Sequence, residues 1–135
     1  MEYVVRPIGW VESPLRDPGA APKQGDEGAP DAWVRLEPAI LDAARDLDVG
    51  SEVIVLTWLD RADRTVLSVH PRDDMTRPLT GVFATRSSER PNPIGLHRVV
   101  ITAVDGEIVT VDRLEAIDGT PVLDVKPVLR EVTER

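Results

Sequence analysis

Hydrophobic positions along the chain fall in short, β-branched runs broken by glycine and proline, a pattern of strands and turns. Residues 4–11 read as a first strand. The run Val53-Ile54-Val55-Leu56-Thr57-Trp58-Leu59 is continuous rather than alternating, which predicts a strand buried on both faces. Residues 66–69 and 80–84 are shorter candidates. Residues 97–104 and 107–111 flank Asp105-Gly106, the strongest hairpin signal in the chain. Residues 114–117 and 122–125 flank a second turn, Asp118-Gly119-Thr120-Pro121. A single segment has helical spacing: Pro38 suits a first helical turn, Ile40, Leu41, Ala44 and Leu47 follow on one face, and Gly50 closes it.

Many short strands with one short helix predict an all-β domain, a barrel or a sandwich. No strand ends in a glycine-rich turn that opens a long helix, which argues against a doubly wound nucleotide fold. Residues 12–32 and 85–95 are rich in proline and glycine and resist either reading. Long loops on a small domain are either solvated surface or binding loops, and length alone does not choose between them.

At 135 residues the chain has room for one domain. Its 16 basic and 24 acidic residues leave a net charge of −8, so bulk charge does not draw it to nucleic acid, and any such partner needs a local basic patch. The absence of cysteine excludes disulfides, thiolate metal sites and a cysteine nucleophile. His70 and His97 are the only histidines, too few for a histidine-rich metal centre, and both sit in strand-like runs that suit structural roles. No apolar run approaches the ~20 residues that span a bilayer, so the expected address is the cytoplasm.

Candidate chemistry concentrates in residues 81–96. Arg77, Arg86, Arg90 and Arg98 cluster there in sequence, offset by Glu89 alone. Pro91 and Pro93 stiffen the backbone around Asn92. A rigid loop bearing Arg, Ser and Asn suits recognition of a polar ligand, because little entropy is lost on binding. A solvated turn with ordinary surface arginines is the alternative. Near the C-terminus, Asp118 either caps its own turn or accepts hydrogen bonds from ribose hydroxyls or an amino group. Asp124 and Lys126 share a strand face and are close enough to pair. Trp10, Trp33 and Trp58 are most simply core or interface residues; the functional reading is a stacking platform for a base.

The stretches Gly-Val-Phe-Ala-Thr-Arg-Ser (81–87) and Arg-Pro-Asn-Pro-Ile-Gly-Leu (90–96) resemble the signature of the TsaA-like, or TrmO-like, family. So do Asp-Gly-Thr-Pro-Val-Leu-Asp-Val-Lys-Pro (118–127), the start Ile8-Gly9-Trp10-Val11-Glu12-Ser13-Pro14, and Pro22-Lys23-Gln24. The similarity runs from about residue 5 to 128. It implies a compact β-barrel that binds S-adenosylmethionine without a doubly wound fold, pairs as a homodimer, and methylates N6 of threonylcarbamoyladenosine beside the anticodon in tRNA. The cofactor contacts it implies are Pro22, Lys23 and Gln24, the side chain of Arg86, the backbone at Leu96, and the turn Asp118, Gly119, Thr120 and Pro121. Where the family often has His-Gln after the long central strand, this chain has Asp60-Arg61, and Asp60 still offers an acceptor. Lys23 replaces the usual arginine and loses its bidentate fork. Val128 stands in place of a tyrosine. The better-known members carry a further C-terminal domain; the expectation here is a single domain over 1–135 without it.

With that cofactor, Asn92 is the candidate catalytic residue, its carbonyl oxygens accepting hydrogen bonds from an amino acceptor, by analogy with unrelated amino-methyltransferases. Arg86 is the candidate anchor for the methionine carboxylate or the adenine edge. Arg77, Arg90, Arg98 and Lys126 are candidates for phosphate or substrate contacts. No metal is needed. A small-molecule acceptor, and a barrel that binds nucleotide or S-adenosylmethionine without turnover, stay open as alternatives.

Overall fold

The computed structural model describes residues 1–16 and 28–130. Among them the strands are β1 (Gly9–Glu12), β2 (Ala32–Leu36), β3 (Glu52–Trp58), β4 (Ser68–Val69), β5 (Thr80–Gly81), β6 (Ile94–Asp105), β7 (Ile108–Val111) and β8 (Pro121–Pro127). Six of them close into a barrel in the order β1-β2-β7-β6-β3-β8, with β8 returning to β1, and every neighbouring pair is antiparallel. β4 and β5 form a separate ribbon. The all-β expectation therefore holds, and closure leaves the barrel without an open edge.

The interior is mostly valine. Val11, Val34, Val55, Val99, Val111 and Val122 are buried to within 1% of completely, with Ile101 and Leu114 beside them. β-Branched side chains have few rotamers to lose and fill the pleated inner face of a small barrel well. Burial of each is worth about 1.5–3 kcal/mol against leaving it in water.

Several local expectations change. β3 is not buried on both faces: Val53, Val55 and Thr57 point inward, while Ile54, Leu56 and Trp58 are half-covered. A small barrel has a packed inside and a wetter outside, so an apolar run here marks a half-covered outer face. The first strand begins late because Pro7 cannot donate; the ladder starts with Ile8 N–H to the Val122 carbonyl at 2.8 Å, and Tyr3, Val4 and Val5 are exposed. Residues 114–117 are not a strand. Their alternating burial arises because Leu114 and Ala116 plug one barrel end.

The expected helix is a 3₁₀ segment, Pro38–Ala44. Its bonds run three residues back, Ile40 to Glu37 at 3.1 Å and Arg45 to Asp42 at 3.3 Å, and Leu47 to Ala44 continues the pattern at 3.1 Å. The segment is too short to nucleate an α-helix on its own. Ile40, Leu41, Ala44 and Leu47 nonetheless pack on the barrel core, as the spacing predicted.

The antiparallel order sorts the loops into two groups. Residues 13–16, 28–31, 59–93 and 112–120 gather at one rim; the 3₁₀ segment and the Gly106 hairpin lie at the other. The hairpin forms where expected, with Asp105 opposite Ile108 and Gly106 at φ 58°.

Candidate functional site

Signature residues that are far apart in sequence converge on the first rim. The long connection 59–93 is braced on itself. Arg90 donates to three carbonyls, Val82 at 3.0 Å, Thr85 at 3.1 Å and Ser87 at 2.8 Å, so its guanidinium is the internal scaffold of the 82–90 loop. Thr85 and Ser87 hydroxyls accept from the backbone N–H groups of Ser87 and Glu89, both at 3.2 Å. The Glu89 carboxylate accepts from the Asp63 N–H, tying this loop to the one that leaves β3.

Arg64 makes the second tie. It donates to the Pro91 carbonyl at 2.7 Å and to Asn92 Oδ1 at 2.9 Å, and lies over the Trp58 ring at 5.0 Å. The Asn92 carbonyl also accepts from Ile94 N–H at 2.8 Å. Both Asn92 oxygens therefore already hold one hydrogen bond, and each sp² oxygen keeps a second lone pair. The amide is oriented by Arg64, a residue that the sequence reading did not single out. Its only signal was its position four residues beyond Asp60, and nothing local connects it to Asn92.

Arg86 reaches along the exposed start of β6 and donates to the Leu96 carbonyl at 3.2 Å, so these two candidates are brought together. Beyond β3, Asp60 and Arg61 are exposed, and Arg61 donates to the Arg16 carbonyl at 3.4 Å. The turn after residue 117 is bound to the exit of β1. Asp118 Oδ1 accepts from Ser13 N–H at 3.0 Å, Asp118 N–H donates to Leu15 at 2.6 Å, and Gly119 N–H donates to Val11 at 2.7 Å. Gly119 has φ 83°, a backbone state that favours glycine. Thr120 is buried and donates to the Ile117 carbonyl at 2.7 Å, and Pro121 begins β8. Pro22, Lys23 and Gln24 lie outside the described residues.

The basic cluster is less positive in space than in sequence. Glu89 is not its sole offset: Arg77 pairs with Asp74 at 3.6 Å and Arg98 with Glu52 at 2.8 Å. Hydrogen bonding from Arg98 holds the Glu52 carboxyl below its usual range, and Glu52 in turn raises Arg98. Lys126 pairs with Asp124 at 3.2 Å, as their alternation predicted. Arg98 and Lys126 sit partway along the barrel wall, opposite Ile54 on either side of β3, and not at the rim.

Beneath the rim, inside the barrel, lies a polar chain. His97 Nε2 is 2.7 Å from Thr57 Oγ1, and its Nδ1 is 2.6 Å from Glu115 Oε1. With Nδ1–H donating to the Glu115 carboxylate, the Nε2 of the neutral ring accepts a hydrogen bond from the Thr57 hydroxyl. The order of groups matches a hydroxyl–imidazole–carboxylate triad, but Thr57 has no exposure and no substrate can reach it. Its effect is to fasten residues 112–120 to the barrel. Gly95 follows from the same chain: a Cβ there would collide with Thr57 Oγ1 and His97 Nε2. His97 is thus structural, as expected, and His70 Nδ1 contacts the Arg77 carbonyl at 2.9 Å.

Two tryptophans stand outside the core, so of the core-or-interface expectation only the interface part is left for them. Trp10 and Trp33 project from the outer face of β1 and β2 and remain 37% and 46% exposed. They line an open groove of about 670 Å³ that reaches the Asp118-Gly119 turn. Among the described residues no group of three or more His, Cys, Asp or Glu side chains is placed to hold a metal, and no helix is long and apolar enough to cross a membrane.

A closed, antiparallel, six-stranded barrel with its signature loops on one rim defines a class, and residues 10–133 match the family model for the tRNA-methyltransferase O N-terminal domain. The chain belongs to that family. A probable S-adenosyl-L-methionine-binding protein of Methanothermobacter thermautotrophicus is 42% identical over 132 residues, covering 98% of this chain and 94% of that protein. An S-adenosyl-L-methionine-binding protein of Archaeoglobus fulgidus is 36% identical over 129 residues, covering 96% and 91%. Crystalline TrmO from Pseudomonas aeruginosa superposes with a TM-score of 0.74 at 30% identity, over 96% of this chain and 57% of that one. The chain therefore spans little more than half of the solved TrmO chain.

Proposed function

We propose that this barrel is an S-adenosylmethionine-dependent methyltransferase whose acceptor is N6 of threonylcarbamoyladenosine beside the anticodon of tRNA. The observation that carries the reading is the convergence of Arg86, Leu96, Asp60, Asn92 and the 118–121 turn on one rim of a barrel in this family. Their chemistry fits the cofactor. The Arg86 guanidinium matches a carboxylate, and the Asp60 and Asp118 carboxylates match ammonium and hydroxyl donors. S-adenosylmethionine held there would supply an activated methyl group, its sulfonium becoming a neutral thioether, while N6 would gain the carbon and release its proton to water.

The protein's part is placement and polarisation. An exocyclic adenine nitrogen is a weak nucleophile because its lone pair is shared with the ring. The second lone pair of Asn92 Oδ1, aimed by Arg64, accepts from the amino N–H and returns density to nitrogen. Because Arg90 holds the loop and Pro93 is buried, Asn92 is presented on a stiff backbone. Arg90 thus contributes through the loop, while Arg77, Arg98 and Lys126 contact RNA by exchanging their carboxylate partners for phosphate.

A small-molecule acceptor is the second reading, favoured by the pairing of those three cations with carboxylates. We place the protein in the cytoplasm as a homodimer; Phe83, Ile94 and Leu96 are 82%, 50% and 44% exposed around Arg86 and offer an apolar surface for a second copy. The test is incubation with methyl-labelled S-adenosylmethionine and tRNA from cells that lack this modification. Label in the modified adenosine supports the first reading. Label only in small-molecule extracts supports the second, and cofactor binding without any transfer leaves a binding module. Sedimentation at micromolar concentration tests the dimer.

A further inference from the structure

We infer that the groove between Trp10 and Trp33 is a nucleobase-stacking site that holds an unpaired base of the RNA acceptor. Tryptophan is seldom left on a strand's outer face at a third to a half of its full exposure without a use, since its large apolar surface prefers burial. Here two of the chain's three tryptophans are so placed, and they line the same groove.

Their register makes the pair suitable for a flat ring. β1 and β2 place Trp10 opposite Arg35 and Glu12 opposite Trp33, so the tryptophans are diagonal neighbours on one face. Diagonal positions on an antiparallel pair are about 7–8 Å apart, and the Arg35–Glu12 ion pair crosses between them on the other diagonal, so a base stacks on the exposed ring surface and does not fill the gap. Arg35, which separates them, is fixed by Glu12 and by Glu107 at 3.3 Å, and so holds the strand surface between the rings in one arrangement.

The charge of the groove selects the part of a nucleotide that enters. Among the described residues Asp31, Asp118, Arg16 and Glu12 line it, and Glu12 is paired with Arg35. Carboxylates repel phosphate and accept from amino and hydroxyl donors, so the base and ribose enter while the phosphates stay outside. Single-stranded RNA is bound in this manner elsewhere, by splaying bases onto aromatic side chains. The groove ends at Asp118 and Gly119, the turn given to the cofactor in the proposed function. A base stacked there sits beside that turn. The inference rests on that reading for the RNA acceptor, although the stacking itself does not.

The test uses the whole chain and needs no turnover. In a ¹⁵N spectrum the three indole N–H signals are separate reporters, and adenosine should shift those of Trp10 and Trp33. In parallel, Trp10→Ala and Trp33→Ala are titrated with an anticodon stem-loop and, by calorimetry, with S-adenosylmethionine. Each should weaken stem-loop binding at least tenfold and leave cofactor binding within twofold, while Trp10→Phe recovers most of the loss. Unshifted Trp10 and Trp33 indoles at millimolar adenosine overturn the site, as does stem-loop affinity that ignores both alanines. Parallel loss of cofactor affinity also overturns it, by assigning the groove to the cofactor. Adenosine shifts at both indoles in a protein that labels no tRNA would retain the stacking site and reject the methyltransferase reading alone.

Discussion

Replacing Glu115 with alanine tests whether the buried polar chain is what fastens the 112–120 segment. The carboxylate is 2.6 Å from His97 Nδ1, with 13% of its side chain exposed and His97 at 4%. Truncation removes one charge-assisted hydrogen bond and leaves a buried imidazole N–H without a partner, a loss of about 1–3 kcal/mol. For a domain of this size each kcal/mol lowers Tm by about 4 °C, so a drop of about 4–12 °C is expected. Glu115→Gln keeps an acceptor oxygen and should retain at least half of the stability. Urea denaturation of Glu115→Ala, His97→Phe and the double variant closes a thermodynamic cycle, whose expected coupling is above about 1 kcal/mol. A Glu115→Ala loss below about 0.5 kcal/mol, with no coupling to His97, would refute the reasoning. The same variant should weaken S-adenosylmethionine binding, because the 118–121 turn is carried on the loosened segment.

Arg90→Lys should loosen the 82–90 loop, since one ammonium cannot reproduce the planar fork that serves three carbonyls; faster amide exchange at Thr85 to Glu89 with an unchanged barrel core is the expected result. Arg86→Ala should raise the cofactor dissociation constant at least tenfold, about 1.4 kcal/mol, by calorimetry, and unchanged affinity removes Arg86 from the site. Asn92→Ala should abolish transfer and leave cofactor binding nearly intact, whereas wild-type turnover would reject its role. The Glu52 carboxyl, held below its ordinary 4.5 by Arg98, contributes stability above that value that is lost as pH falls through the lowered folded value. Acidification from neutral pH should therefore lower Tm less in Glu52→Gln than in the wild type, and parallel curves would contradict the assignment.

The strand content, the Asp105-Gly106 hairpin and the Asp118 turn were legible because their signals are local: alternation, β-branching and turn chemistry act over a few residues. The helical spacing of residues 38–47 predicted a short helix, which forms over Pro38–Ala44; that it is of the 3₁₀ kind was not legible, because periodicity reports which face is apolar and not which hydrogen bond closes the turn. The signature around Arg86 and Asn92 located the candidate site, but could not show that Arg90 is spent inside its own loop. That depends on three carbonyls turning inward together.

By itself the sequence determined an all-β chain, its turns, and the motifs of its family, since each is written in neighbouring residues. Only the tertiary structure decided which partners those residues meet. Barrel closure brought Glu52 to Arg98, Glu115 to His97 and Arg64 to Asn92, contacts spanning 46, 18 and 28 positions. It also turned Trp10 and Trp33 outward, because strand register assigns each side chain to the inner or outer face and register is settled only when β1 pairs with β2 and β8.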